Sequence, residues 1–170
     1  MRVFTGNSMH GALDALLPQF ERETGRAVRV DYDPAQIILK RVEAGETADI
    51  AIVGDAVFDA LVKNGSIAGA SRRVIARCGV GIGVRPGAAK PDVSSIEALK
   101  RTLLGARSIA YTTSGASGIH FTRVIERLGI AEEVKAKGVR RPGGLIGELV
   151  ASGEAEIAVQ QIPESWPSRV

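Results

Sequence analysis

Three times before residue 66, a short apolar run gives way to a polar turn and then to apolar residues at helical spacing. This alternation constrains the fold more than any other feature. Short apolar strands between amphipathic helices specify a parallel sheet covered on both faces. Arg2-Val3-Phe4-Thr5 runs into Gly6-Asn7-Ser8-Met9 and a helix carrying Leu13, Leu16, Leu17 and Phe20. Val28 to Tyr32 alternates at strand period, and Asp33-Pro34 reads as a cap and first helical position before Ile37, Ile38 and Val42. Asp49 to Val53 is a short buried strand, and Asp55 is expected to cap a helix bearing Val57, Phe58, Leu61 and Val62. Right-handed crossovers then place the turns at Gly6–Ser8, Asp33–Gln36 and Gly54-Asp55 along one sheet edge.

The pattern changes between Ser66 and Val84, where Ser71 onward reads as one long extended path and a hinge candidate. Helical signals resume at Ser94 and Glu97, which fit a capping box before Ile96, Leu99 and Leu103. Arg107 to Tyr111 is the next strand. A second polar turn, Thr112 to Gly118, leads into a helix with Phe121, Val124, Ile125 and Leu128. A short helix near Ala131–Ala136, another within Pro142–Ser152 carrying Leu145, Leu149 and Val150, and a strand at Glu156–Gln160 complete the regular pattern. The expected division is a first lobe over 1–75, a second over 76–160, and an irregular segment over 161–170 in which Trp166 either pins the tail to a lobe or lies exposed.

A strand feeding a Gly/Asn/Ser turn and a helix start is receptive to anions, because free amides and the positive helix end converge there. The chain builds this arrangement twice, so two such turns facing one another would clamp a small oxyanion. Ser8 sits either as a ligand contact or as a helix cap. Ser114 and Ser117 bracket glycines that permit close backbone approach. Neither turn has the lysine ending of a nucleotide P-loop or a dinucleotide glycine spacing. Asp49 and Asp55 read as scaffold, since a carboxylate beside a bound anion is unfavourable. Tyr111 is placed either at the cleft floor or in strand packing.

The net charge of +3 is spread out, with Arg72-Arg73 and Arg140-Arg141 the only adjacent arginines, and aromatic residues make up 4% of the chain. No basic stripe or stacking platform for nucleic acid follows from this. The single cysteine, Cys78, lies between apolar runs and is expected to be buried. His10 and His120, each near the first turn of a helix after a proposed binding turn, offer no metal-ligand spacing. A nucleophile–base–orienter set does not emerge from two histidines and one cysteine, so the expectation is a binding protein without enzymatic activity, metal or cofactor; the alternatives are a cytoplasmic ligand sensor or binding module for a small organic acid and, behind it, an enzyme on the same scaffold. No leader and no apolar stretch of roughly 18 residues is seen. The expected setting is therefore cytoplasmic if the chain is complete, or extracytoplasmic if a leader was omitted.

The ordered set Val3–Met9, Ala44–Ile50 with Asp55, Tyr111–Phe121 and Glu154–Gln161 resembles the molybdate-binding proteins of ABC transporters, within the two-lobed type II periplasmic binding proteins. The resemblance covers essentially the whole chain. It implies an α/β fold of two lobes with mainly parallel sheets, closing on a small oxyanion delivered to an ABC permease. It places ligand contacts at Gly6, Asn7 and Ser8, at Ser114, Gly115, Ala116 and Ser117, and at Gln36 and Gln160, the last two standing where that family uses serine and tyrosine. Glutamine amides both donate and accept, so a small organic acid suits these positions as well as an inorganic oxyanion. Family members normally return to the first lobe after the Gln160 strand. The expectation is therefore a first lobe with an exposed apolar edge, and either reduced stability or a homodimer that covers the edge.

Overall fold

The computed structural model describes residues 1–165; the expectation for Trp166 lies outside them. The chain forms two compact units, the first spanning Met1–Cys78 and the second beginning at Gly79.

In the first unit, strands β1 (Arg2–Thr5), β2 (Arg29–Tyr32) and β3 (Ile50–Ile52) form a wholly parallel sheet in the order β2-β1-β3. Helices α1 (His10–Thr24), α2 (Ala35–Glu43) and α3 (Asp55–Lys63) follow the three strands in turn, as the alternation predicts. Thr5 is in register with both Tyr32 and Ile52, so the three strands end together and the turns after them share one edge. The core is small: Val3, Phe4, Ile38, Val57 and Leu61 are buried. Helix α1 buries no residue at all, and Leu16 is 61% exposed. Ile37, Ile50, Val74 and Ile75 are also exposed, and β3 has no second neighbour among the described residues. The expected apolar edge on this unit is present.

Several local expectations are corrected. Pro34, not Asp33, is the cap residue of α2, and it makes no side-chain cap bond. The Asp33 carboxylate instead accepts from the Arg41 guanidinium. Gly54 precedes α3, while Asp55 lies inside its first turn and pairs with Arg72 at 2.6 Å. The chain from 72 to 79 carries no regular structure, and the strand β4 is confined to Val80–Gly83. Cys78 is exposed rather than buried, on a segment without regular structure.

The second unit holds a four-stranded sheet in the order β4-β7-β5-β6, with β5 (Ile109–Thr112), β6 (Gly138–Arg141) and β7 (Ile157–Gln161) parallel and β4 antiparallel to β7. Helices α4 (Ile96–Gly105), α5 (Ala116–Arg127), α6 (Ala131–Ala136) and α7 (Gly147–Ala151) cover it. Its central strand β5 is buried at every position, and Leu103, Phe121, Ile125, Ile130 and Val134 share a core cluster with its Ile109 and Tyr111. Ser95, one residue beyond the expected Ser94, caps α4 by accepting from the Ala98 amide, and Ile96 and Leu145 face solvent instead of the core. Beyond β7 the chain makes a 3-10 turn at Ile162–Ser165, whose Ile162 side chain lies against Gly79 and Gly81.

Candidate functional site

Each unit presents one turn at the carboxyl end of its central strand. In the first unit, Gly6 leaves β1 in an extended conformation and Asn7–Met9 form a 3-10 turn that runs directly into α1. The Met9 amide donates to the Gly6 carbonyl at 3.1 Å, and the Asp33 amide to the Thr5 carbonyl at 2.9 Å. Among the described residues nothing accepts from the amides of Gly6, Asn7 or Ser8, and the Ser8 hydroxyl makes no hydrogen bond. The capping alternative for Ser8 is thus not realised. No atom except Ser8 Oγ comes within 4 Å of the position a Gly6 Cβ would take, so the turn is open on that side. Gln36 lies in the first turn of α2 on the same edge, half-buried, with neither its amide group nor its backbone N–H engaged among the described residues.

His10, the first residue of α1, stacks on Tyr32 with ring centroids 4.4 Å apart and planes 21° from parallel. Its Nδ1 lies 2.8 Å from Asp14 Oδ2. Burial raises the Tyr32 phenol above its usual range, and the Asp14 charge adds to the rise. Sequence reasoning missed this cluster. The His10–Asp14 spacing is legible on a helix, but the contact with Tyr32 needs the β1–β2 register.

In the second unit, the turn after β5 is stitched to the chain that leaves β6. The Thr113 amide donates to the Arg141 carbonyl at 2.8 Å. The Ser114 amide donates to the Pro142 carbonyl at 3.2 Å, and the Ser114 hydroxyl to the same oxygen. Ser114 thus uses both its amide and its hydroxyl to hold the turn, the ordinary turn chemistry that stood beside ligand contact for this residue. Helix α5 then starts with no side-chain cap, and the amides of Gly115, Ala116, Ser117 and Gly118 have no acceptor among the described residues. Ser117 is 3% exposed. The glycines serve the close approach of the turn to its own strand. A Cβ on Gly118 would lie 1.7 Å from the Thr112 carbonyl oxygen, and one on Gly115 2.6 Å from Thr112 Oγ1.

Gln160 is 2% exposed on β7, and its Oε1 accepts from the Gly147 amide at 2.9 Å, tying that strand to the start of α7. Tyr111 is buried and meets Phe121 edge-on at 5.2 Å, which is the packing alternative. Two further groups gave no sequence signal. Thr5 and Thr112, the last residues of the two central strands, each bury a hydroxyl that makes no hydrogen bond among the described residues.

Away from the turns, Arg2 and Arg41 lie over the Phe4 ring at 4.6 and 4.3 Å and both pair with Asp31. The Arg2 hydrogen bond is the main cause holding the Asp31 carboxyl down at about 2. The crevices of the second unit sit at the opposite end of its sheet from the turn. One of about 410 Å³ is lined by Arg85, Arg101, Arg107 and Glu156, among others, and touches no candidate residue. No group of three or more His, Cys, Asp or Glu residues among those described is placed to hold a metal ion. No helix among them is long and apolar enough to cross a membrane.

Residues 1–166 match the family model described as bacterial extracellular solute-binding protein. The chain belongs to this family. A relative from Pseudomonas sp. named aconitate isomerase is 33% identical over 172 residues, a match covering 96% of this chain and 64% of that protein. This solute-binding-family chain thus spans less than two thirds of that relative's length. The periplasmic molybdate-binding protein of Azotobacter vinelandii superposes with a TM-score of 0.77 at 21% identity, over 96% of this chain and 72% of the other. The tungstate ABC transporter structure from Geobacter sulfurreducens gives 0.73 at 18%, over 96% and 72%. These likenesses establish the type II periplasmic-binding-protein fold.

Proposed function

We propose that this solute-binding protein captures a small oxyanion with the backbone amides of its two turns, and hands it to an ABC-type permease outside the cytoplasm. The observation that carries the reading is the repetition. Both central strands end in a turn whose amides are unspent, Gly6–Ser8 in one unit and Gly115–Gly118 in the other. Neutral donors of this kind hold an anion without a balancing cation, and each charge-assisted bond contributes about 1.5–3 kcal/mol net. Ser8 supplies a hydroxyl and Gln36 an amide to the same ligand. Gln160 holds β7 to the start of α7 through the Gly147 amide in the second unit. The molybdate- and tungstate-binding proteins of like fold support an inorganic oxyanion. Calorimetry against molybdate, tungstate, sulfate, phosphate and small carboxylates tests the reading, with Ser8→Ala expected to bind about tenfold to a hundredfold more weakly while folding normally. Failure of the whole panel to bind refutes it.

A small organic polycarboxylate is the second reading. It is favoured by the relative named aconitate isomerase, whose identity to this chain is higher than that of the molybdate- and tungstate-named structures, and by the unengaged Gln36 side chain, which both donates and accepts. Aconitate in the same calorimetric panel separates the two. The open edge of β3 and the exposed apolar residues of the first unit support self-association as a homodimer. Sedimentation as a monomer at every concentration refutes that part.

A further inference from the structure

We propose that His10, held by Asp14 and Tyr32 beside the Gly6–Ser8 turn, is the acid–base group of a proton-transfer activity on a small unsaturated polycarboxylate bound there. The inference rests on the organic-acid reading above and goes beyond capture.

Geometry places the imidazole correctly. In a helix the Cα–Cβ bond tilts toward the N-terminus, so the side chain of the first residue projects back toward the turn that precedes it. His10 is that residue, and Asn7–Met9 is that turn. Tyr32 is paired in register with Thr5, which keeps the stacked ring at the strand ends, where Gly6 leaves the sheet.

Electrostatics then orients it. A carboxylate only accepts, so at 2.8 Å Asp14 Oδ2 requires a proton on Nδ1, and in the neutral imidazole the lone pair then sits on Nε2. The His10 side chain is 51% exposed, so a bound molecule can reach it. This is a base with its orienting group, the pair that residue types alone did not reveal. The adjoining amides of Gly6, Asn7 and Ser8 are unspent donors for charge that develops on a carboxylate.

The reaction this set supports is a 1,3 proton shift. Nε2 takes a proton from a methylene carbon that is allylic and adjacent to a carboxylate. The released C–H pair forms the new double bond, and the pair of the old double bond moves to the far carbon, delocalised into its carboxylate as an enediolate. The turn amides hold that charge. The imidazolium then returns its proton to the far carbon. Nothing is oxidised or reduced, no co-reactant is consumed, and His10 ends neutral as it began.

The test is proton NMR of cis-aconitate and of trans-aconitate, each incubated with the chain in deuterated water, alongside calorimetry of the same acids. Wild type is expected to exchange carbon-bound protons for deuterium and to shift the double bond. His10→Gln is expected to slow exchange by about a hundredfold or more with the Kd nearly unchanged. Asp14→Asn is expected to slow it by about tenfold with the Kd again unchanged, a split that a purely helix-stabilising pair would not give. Added imidazole is expected to restore exchange to His10→Ala. Binding without exchange overturns the activity and leaves capture standing. Exchange that survives His10→Gln overturns the assignment of the base. An absence of both binding and exchange removes the organic-acid reading and this inference together.

Discussion

Gly118→Ala tests whether the second turn is built by contact with its own strand. The new Cβ would lie 1.7 Å from the Thr112 carbonyl oxygen and 2.6 Å from its Oγ1, whereas real Cβ contacts stay beyond 3.0 Å. Thr112 ends a buried strand with a neighbour on each side, so the strand does not yield. The start of α5 must therefore retreat by roughly an ångström or more, opening a gap beneath Phe121 and Ile125. We expect a loss on the order of 3 kcal/mol. With a urea m-value of about 2 kcal/mol/M, the midpoint followed by circular dichroism falls by about 1.5 M. Gly6→Ala is the matched control. Its Cβ would meet only Ser8 Oγ, at 3.9 Å, and Gly6 has a φ of −83°, so its stability should stay within about 0.5 kcal/mol of wild type. Equal midpoints for Gly118→Ala and wild type would refute the reasoning.

The remaining predictions concern other polar groups. Thr112→Val removes a hydroxyl that has no partner among the described residues, so thermal melting should show unchanged or slightly higher stability, by up to about 1 kcal/mol, and a clear loss would contradict that. Gln160→Leu leaves the Gly147 amide without its acceptor and should cost about 1–3 kcal/mol in urea unfolding, against no change if that bond is dispensable. Asp31 has a folded pKa of about 2 against an ordinary value of 3.8. It therefore contributes stability that is complete above the ordinary value and is lost as pH falls through about 2. An acid-unfolding series should show Asp31→Asn with less of this dependence between those values than wild type. Identical acid limbs in the two proteins would exclude Asp31 as its source.

The order of strands and helices was legible because each strand is short and apolar and each helix has apolar residues at helical spacing. Local chemistry was less legible. Asp33 has the composition of a cap, but Arg41, eight residues on, takes its carboxylate. Cys78 sits between apolar runs, yet Val74 and Ile75 beside it are 72% and 63% exposed, so sequence neighbours gave no burial. The glycines of the second turn were rightly singled out for close approach, but the approaching atoms belong to Thr112. Ser114 reads as a donor until Pro142, brought near by the β5–β6 register, takes both its amide and its hydroxyl. In each case the deciding partner is fixed by tertiary contact and not by local spacing.

The unspent turn amides are proposed to bind the anion, and the direct measurement is a titration of isotope-labelled protein, followed by amide chemical shifts, with whichever anion of the calorimetric panel binds. The expected result is that the amides of Gly6, Asn7 and Ser8, and those of Ala116, Ser117 and Gly118, shift on saturation. Shifts confined to the crevice around Arg85 and Arg107, with both turns silent, would contradict it.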